Sequence, residues 1–266
     1  MRGCCHLCVW IVSALTLAAK SYPVDGIVVA VDPAAGTMIV AHRPIGKYMP
    51  AMTMPFHVSD AAQIRDLYPG VRIVFRLDVG KDHAVASGVR KSGDPDAEVA
   101  PPPEMRPIGS ALPEFHLKDQ NGRAFTDSDL RGKVVAIDFI YTRCPLPDVC
   151  PRLAANFAAL QRRFAHEPGL LLLSVTVDPD YDTPAVLAEY ARRWGAGPGW
   201  RFVTGDVAPL AANLGEVYWN DEGSIGHNSI TTIVGRGGRI AARVDGSQWR
   251  IDQVENLIAH ELKETP

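Results

Sequence analysis

The sequence predicts two folded units. A small all-β unit, short enough to be a barrel, precedes an α/β unit with a central sheet and helices on both faces. Three observations carry this. Short β-rich, turn-bounded stretches, one of them cleanly alternating, fill the region from about Val24 to Ser92. From about Ile108 onward, strand-like and helix-like stretches follow a βαβ…ββα order. Between them lies a proline- and acid-rich stretch, Gly93 to Pro107, whose composition favours an extended, semi-rigid linker.

The 266 residues are enough for about two domains. Hydrophobic content of 47% and charged content of 21% are those of ordinary globular chains. A net charge of −3 offers no basic surface, so no nucleic-acid partner is expected.

Taken in order, residues 1–20 read as a signal peptide. Arg2 supplies one positive charge, and Leu7 to Ala19 is mostly apolar and ends in small residues before Lys20. This apolar core is shorter than the ~20 residues a spanning helix needs. Cleavage near Ala19 removes Cys4, Cys5 and Cys8 and leaves Cys144 and Cys150. A leader that stays uncleaved would instead anchor the exported chain to the inner membrane.

Residues 21–92 form the β unit. Gly26–Val31 and Thr37–His42 are β-rich, joined by the turn Asp32-Pro-Ala-Ala-Gly36. Val71–Leu77 alternates cleanly, and His83–Val89 is a weaker strand. After the linker at 93–107, residues 108–266 place strands at Val134–Phe139, Leu170–Val177, Ser229–Val234 and Ile240–Val244. A helix opens at Pro151, with Leu153, Phe157, Leu160 and Phe164 on one face. A second follows Asp182-Thr183-Pro184, carries Val186, Leu187, Tyr190 and Trp194, and stops at Gly195. The last presents Val254, Leu257, Ile258 and Leu262.

Three groups of residues carry chemistry. Cys144 and Cys150 sit at a strand-to-helix turn with five residues between them, two of the five being prolines. Such a loop folds back so that both sulfurs face one soft metal or close a disulfide. A structural staple is the bland alternative, though so short a loop gains little from one. Cys150 directly precedes the helix, so its thiol is expected to titrate below about 8.5, with Cys144 nearer that value. The second is His227, in the loop that leads into Ser229–Val234; an ordinary surface-loop histidine is its alternative. The third is Met49, Met52 and Met54, three of six methionines within six positions, not far from His42. Met52 and Met54 share a face if the stretch is a strand. Their thioethers select Cu(I) or Ag(I); gap-filling core methionines are the alternative. Flanking prolines favour an exposed rim.

The second unit resembles the Sco/SenC family of thioredoxin-fold copper proteins. The resemblance rests on Leu112-Pro-Glu-Phe-His-Leu117, Gly132–Phe139, Tyr141-Thr-Arg-Cys144-Pro145 and Val149-Cys150-Pro151. It continues through Ser174-Val-Thr-Val-Asp-Pro179, Asp182-Thr-Pro184 and His227-Asn-Ser229. It implies an α/β thioredoxin-like domain binding one copper through Cys144, Cys150 and His227. The family's cysteines usually have three residues between them, and an acid usually precedes the histidine; here there are five, and Gly226. The first unit is similar to the CusF-like periplasmic copper/silver domain, a small OB-type barrel. That similarity implies His42, Met52 and Met54 as ligands, with Met49 near the place of a capping tryptophan and a candidate fourth ligand.

Together these imply a periplasmic copper-binding protein. Cu(I) is expected at the Met/His site, and Cu(I) or Cu(II) at the Cys/Cys/His site. The implied recipient is an oxidase subunit or another cuproenzyme, with a thiol reductant protein keeping the pair reduced. The rival function is a thiol–disulfide oxidoreductase, in which Cys144 and Cys150 alone are redox-active. The lack of a proline between Ser224 and Gly235 argues against a general thioredoxin-like reductase. A copper buffer that only sequesters metal is a third class.

Overall fold

The computed structural model of the chain describes residues 20–80, 83–92, 102–221 and 223–264. Residues 1–19 of the expected leader and most of the expected linker lie outside the described residues; Lys20, expected as the leader's last residue, begins the first strand instead.

The first unit has five strands: β1 (Lys20–Asp32), β2 (Thr37–His42), β3 (Met52–His57), β4 (Arg72–Val79) and β5 (Ala84–Lys91). They form one antiparallel sheet in the order β3-β2-β1-β4-β5. The sheet curls until its edges meet at a single parallel bridge, Val58 to Ala86, where Ser59 N–H donates to the Ala86 carbonyl at 2.8 Å. Met38 and Val40 from β2, Phe56 from β3, and Ile73, Phe75 and Leu77 from β4 fill its interior. The period-two pattern puts every second residue inside, and burial of these apolar side chains stabilises the unit. Strand β1 begins six residues before the β-rich stretch expected from Gly26. Strand β3 carries Pro55 on an edge, which is where a strand tolerates proline.

The second unit contains β6 (His116–Asp119), β7 (Ala124–Thr126), β8 (Val134–Ile140), α1 (Cys150–Arg163), β9 (Leu170–Thr176) and α2 (Pro184–Arg193). It continues with β10 (Trp200–Thr204), α3 (Ala208–Leu214), β11 (Tyr218–Asp221), β12 (Ser224–His227), β13 (Thr231–Val234), β14 (Ile240–Val244) and α4 (Ile251–Lys263). Its seven-stranded sheet runs β14-β13-β8-β9-β10-β6-β7, with β8, β9 and β10 parallel. All seven residues of β8 and of β9 are buried, which is why these strands are mostly apolar, broken only by Asp138 in β8 and by Ser174 and Thr176 in β9. Phe157 of α1 and Tyr190 of α2 pack on Trp200 and Phe202 of β10. Strands β11 and β12 form a separate hairpin.

The two units are docked. Ile27, Val29 and Ala41, on the outer face of the first sheet, join the apolar core of the second. Gln253 of α4 donates to the Ala41 carbonyl at 3.4 Å. Gly70 lies so close to β14 that an added Cβ would sit 2.0 Å from the Arg243 carbonyl oxygen. At the end of the proline-rich stretch, Arg106 bonds Asn213 of α3 at 2.7 Å.

Candidate metal centres

The cysteine loop leaves the end of β8 and returns at the first residue of α1. Its outgoing arm is clamped. Asp182 accepts from the Thr142 backbone N–H at 3.0 Å, from the Thr142 hydroxyl, and from the Thr176 hydroxyl at 2.6 Å. Arg143 pairs with Asp178 at 2.7 Å and lies over the Tyr181 ring. Its returning arm is held by Ser247, whose hydroxyl donates to the Asp148 carbonyl at 2.7 Å. Between these anchors Cys144 is half-buried and Cys150 fully buried, both as free thiols.

Proton affinities of the two thiols oppose the sequence expectation. Cys144 is pushed down to about 5, first by the hydrogen bond from the Cys150 thiol. Cys150 is pushed up, because that same bond needs its proton and burial disfavours a second thiolate. The helix N-terminus does favour an anion, but Cys150 is buried beneath Cys144 and serves as the donor. The anion sits one step out, on Cys144.

His227 is not in a loop. It ends β12, pairs across the hairpin with Tyr218, and its side chain is 2% exposed. Its Nε2 lies 3.5 Å from the Cys150 sulfur. On the other side of the ring, Nδ1 faces Glu216 Oε1 at 2.7 Å. Burial opposes the imidazolium, yet the Glu216 hydrogen bond and charge outweigh it and raise the histidine's pKa. Tyr141 packs edge-on to the His227 ring and accepts from Ile225 N–H. Where the resemblance led one to expect an acid at 226, Gly226 lies under Trp219; a Cβ there would come within 2.5 Å of the indole.

The surface-loop reading of His227 is thus overturned, and Cys144, Cys150 and His227 are brought together. They meet as successive contacts. Among the described residues no three His, Cys, Asp or Glu side chains form a ready-made metal cage. Two sulfurs and a bare imidazole nitrogen nonetheless make a donor set suited to a soft ion.

In the first unit, His42 and Met52 are directly paired across β2 and β3, and Met54 pairs with Val40 two positions along. All three therefore point from one face. His42 Nδ1 donates to the Arg43 carbonyl at 2.7 Å, which leaves Nε2 bare. That nitrogen is buried without a hydrogen-bond partner, as a ligand atom awaiting a metal would be. Met52 is 44% exposed at the rim, while Met49 and Met54 pack partly into the interior. The core and rim readings each hold for part of the cluster. The turn carrying Met49 is closed by Ile45 and by stacking of Tyr48 on Tyr22 at 4.6 Å.

Sequence reasoning missed Glu216, Tyr141 and Asp182. Tyr141 and Asp182 lie inside stretches that carry the Sco/SenC resemblance, yet nothing in those stretches shows which side chains they hold in place. Glu216 is a lone acid that no periodicity or spacing ties to His227.

A thioredoxin-like α/β domain with a cysteine pair and a buried histidine at one end of its sheet defines a class of soft-metal and thiol proteins. Residues 104–263 match the SCO1/SenC family and residues 21–91 match "Copper binding periplasmic protein CusF". The chain belongs to the SCO1/SenC family. It is 37% identical over 112 residues to the human mitochondrial protein SCO2 homolog, covering 40% of this chain and 41% of that protein. Matches to this and the similar Rickettsia felis and bovine relatives span 30–41% of their lengths. A SCO1/SenC family lipoprotein from Bacillus anthracis superposes with a TM-score of 0.54 at 25% identity, over 60% of this chain and 99% of that one. Bradyrhizobium japonicum ScoI, solved with copper bound, superposes with a TM-score of 0.50 at 25% identity, over 57% and 99%.

Proposed function

We propose that this chain is an exported, periplasmic copper-binding protein that delivers copper to the copper centre of a respiratory oxidase or a similar cuproenzyme. The observation that carries this reading is the meeting of Cys144, Cys150 and His227 at the end of the central sheet. Copper is cargo here. Cys144 already holds the anionic charge that a Cu(I) ion would meet first, and Cys150 would give up its proton on binding. His227 Nε2 supplies a third donor. The proposed organisation is a signal peptide over 1–20, the CusF-like unit over 21–92, a linker over 93–107 and the Sco/SenC unit over 108–266. In the CusF-like unit, His42, Met52 and Met54 would hold Cu(I), with Met49 as a fourth donor. A thiol reductant protein would keep the cysteine pair loadable. Among the described residues no helix is long and apolar enough to cross a membrane.

The unequal thiols favour a second reading, a thiol–disulfide oxidoreductase. Cys144 thiolate would attack a partner disulfide and Cys150 would resolve the mixed disulfide. The pair would lose two electrons and the partner would leave as two thiols. Copper stoichiometry of the reduced full chain separates the two. Wild type should bind two Cu(I), and Cys144→Ser and His227→Ala should each weaken one site. If both variants keep wild-type binding and only Cys144→Ser loses disulfide exchange, the oxidoreductase reading stands instead.

A further inference from the structure

This inference rests on the reading of His227 as a copper ligand. We propose that Glu216 is its positioning residue: from the turn between α3 and β11 it sets the tautomer and orientation of the imidazole, so that a bare Nε2 faces the cysteines.

The Glu216 side chain has no exposed surface and accepts three N–H groups. These are His227 Nδ1 at 2.7 Å, Ser229 N at 3.2 Å and Ile230 N at 2.7 Å. Both Glu216 oxygens already accept backbone N–H groups, so the side chain acts as an acceptor and the ring nitrogen facing it carries the hydrogen. In a neutral imidazole that leaves Nε2, 3.5 Å from the Cys150 sulfur, as the lone-pair atom. A carboxylate behind a ligating histidine both orients the ring and makes its free nitrogen more basic.

Two independent features show that the surrounding backbone is built around this contact. Ser229 is the one non-glycine residue with positive φ, at 56°, among the described residues. Such a conformation persists only where its surroundings impose it, and the Ser229 N–H is held by Glu216. Asn228 then stitches the two segments together. It accepts from Val217 N–H at 3.0 Å and donates to the Gly215 carbonyl at 2.9 Å. Gly215, at φ 90°, caps α3 and starts the turn. Glu216 therefore has little freedom, and neither does the ring it holds.

Glu216→Gln tests this with minimal change of shape. An amide must place NH2 against one of the three donors. Turned toward Nδ1, it would move the ring proton to Nε2 and cover the lone pair. The first measurement needs no copper: 15N resonances of His227 in the reduced, metal-free full chain, at a pH where the ring is neutral. Wild type should show Nδ1–H and bare Nε2; Nε2–H in wild type overturns the proposal, whether or not the variant folds. Glu216→Gln should shift the tautomer and weaken copper binding at that site by ~10–100-fold. His227→Ala is the control. If it weakens binding while Glu216→Gln changes neither tautomer nor affinity, the positioning role is refuted and the ligand stands. If His227→Ala leaves binding unchanged, the ligand assignment falls, and the tautomer shift alone decides what Glu216 does to the ring.

Discussion

Replacing Cys150 with alanine should change the chemistry of Cys144 without touching it. Cys144 is held at about 5 chiefly by the Cys150 thiol hydrogen bond. Without that donor it should move toward the ordinary value of about 8.5. The reaction rate at neutral pH is a poor reporter of this. At pH 7 a thiol titrating at about 5 is ~99% thiolate against ~3% for one at about 8.5, a ~30-fold advantage. A Brønsted slope of about 0.4–0.5 makes the less basic thiolate ~25–60-fold slower, which cancels the gain. At pH 5.5 the thiolate fractions are ~76% and ~0.1%, so wild type should react roughly 15–30-fold faster than Cys150→Ala. The assay is the pH profile of iodoacetamide alkylation on the reduced, metal-free full chain, with the modified residue identified by mass. An inflection near pH 5 in wild type that climbs by two units or more in Cys150→Ala is expected. A wild-type inflection near 8.5, or the same inflection in both proteins, would refute the shared-proton account of the pair.

Three further outcomes follow from the same contacts. The double variant Met52→Leu/Met54→Leu keeps volume and removes both thioethers, so it should lose one Cu(I) per chain at a stability cost under about 1.5 kcal/mol per site; unchanged stoichiometry would leave these methionines as packing. Asp138 is fully buried on β8 and burial raises its pKa to about 7. A raised carboxyl value favours the folded state below about pH 3.9, and that contribution is lost as pH rises to about 7; relative to Asp138→Asn, wild type should lose up to ~4 kcal/mol across that window by thermal melts, and parallel curves would place Asp138 in a more polar site. Gly70→Ala puts a Cβ 2.0 Å from the Arg243 carbonyl oxygen at a φ of 91°, so it should cost ~1–3 kcal/mol in backbone strain alone and expose the docked face to proteolysis; a protease pattern identical to wild type would show that the two units are not held together there.

Much of this protein was legible in its sequence because its signals are local and periodic. Alternation located most of β4, strand-like stretches located β2, β8 and β9, and Pro151 and Pro184 marked the starts of α1 and α2. The soft donors Cys144, Cys150, Met52 and Met54 stood out because thiols and thioethers are rare and were clustered. What no local pattern contained is the pairing of distant residues. Glu216 behind His227, and Asp182 under Thr142, are contacts between segments that only the folded sheet brings together. The β11–β12 hairpin escaped notice because four-residue strands carry too little periodicity. The order of the two thiols is the clearest case. Sequence position put Cys150 at a helix N-terminus, which favours its thiolate. Burial beneath Cys144 gave it the proton instead, because a second buried anion costs more than a helix end returns. Depth from solvent is a property of the packed chain, and it decided which sulfur carries the charge.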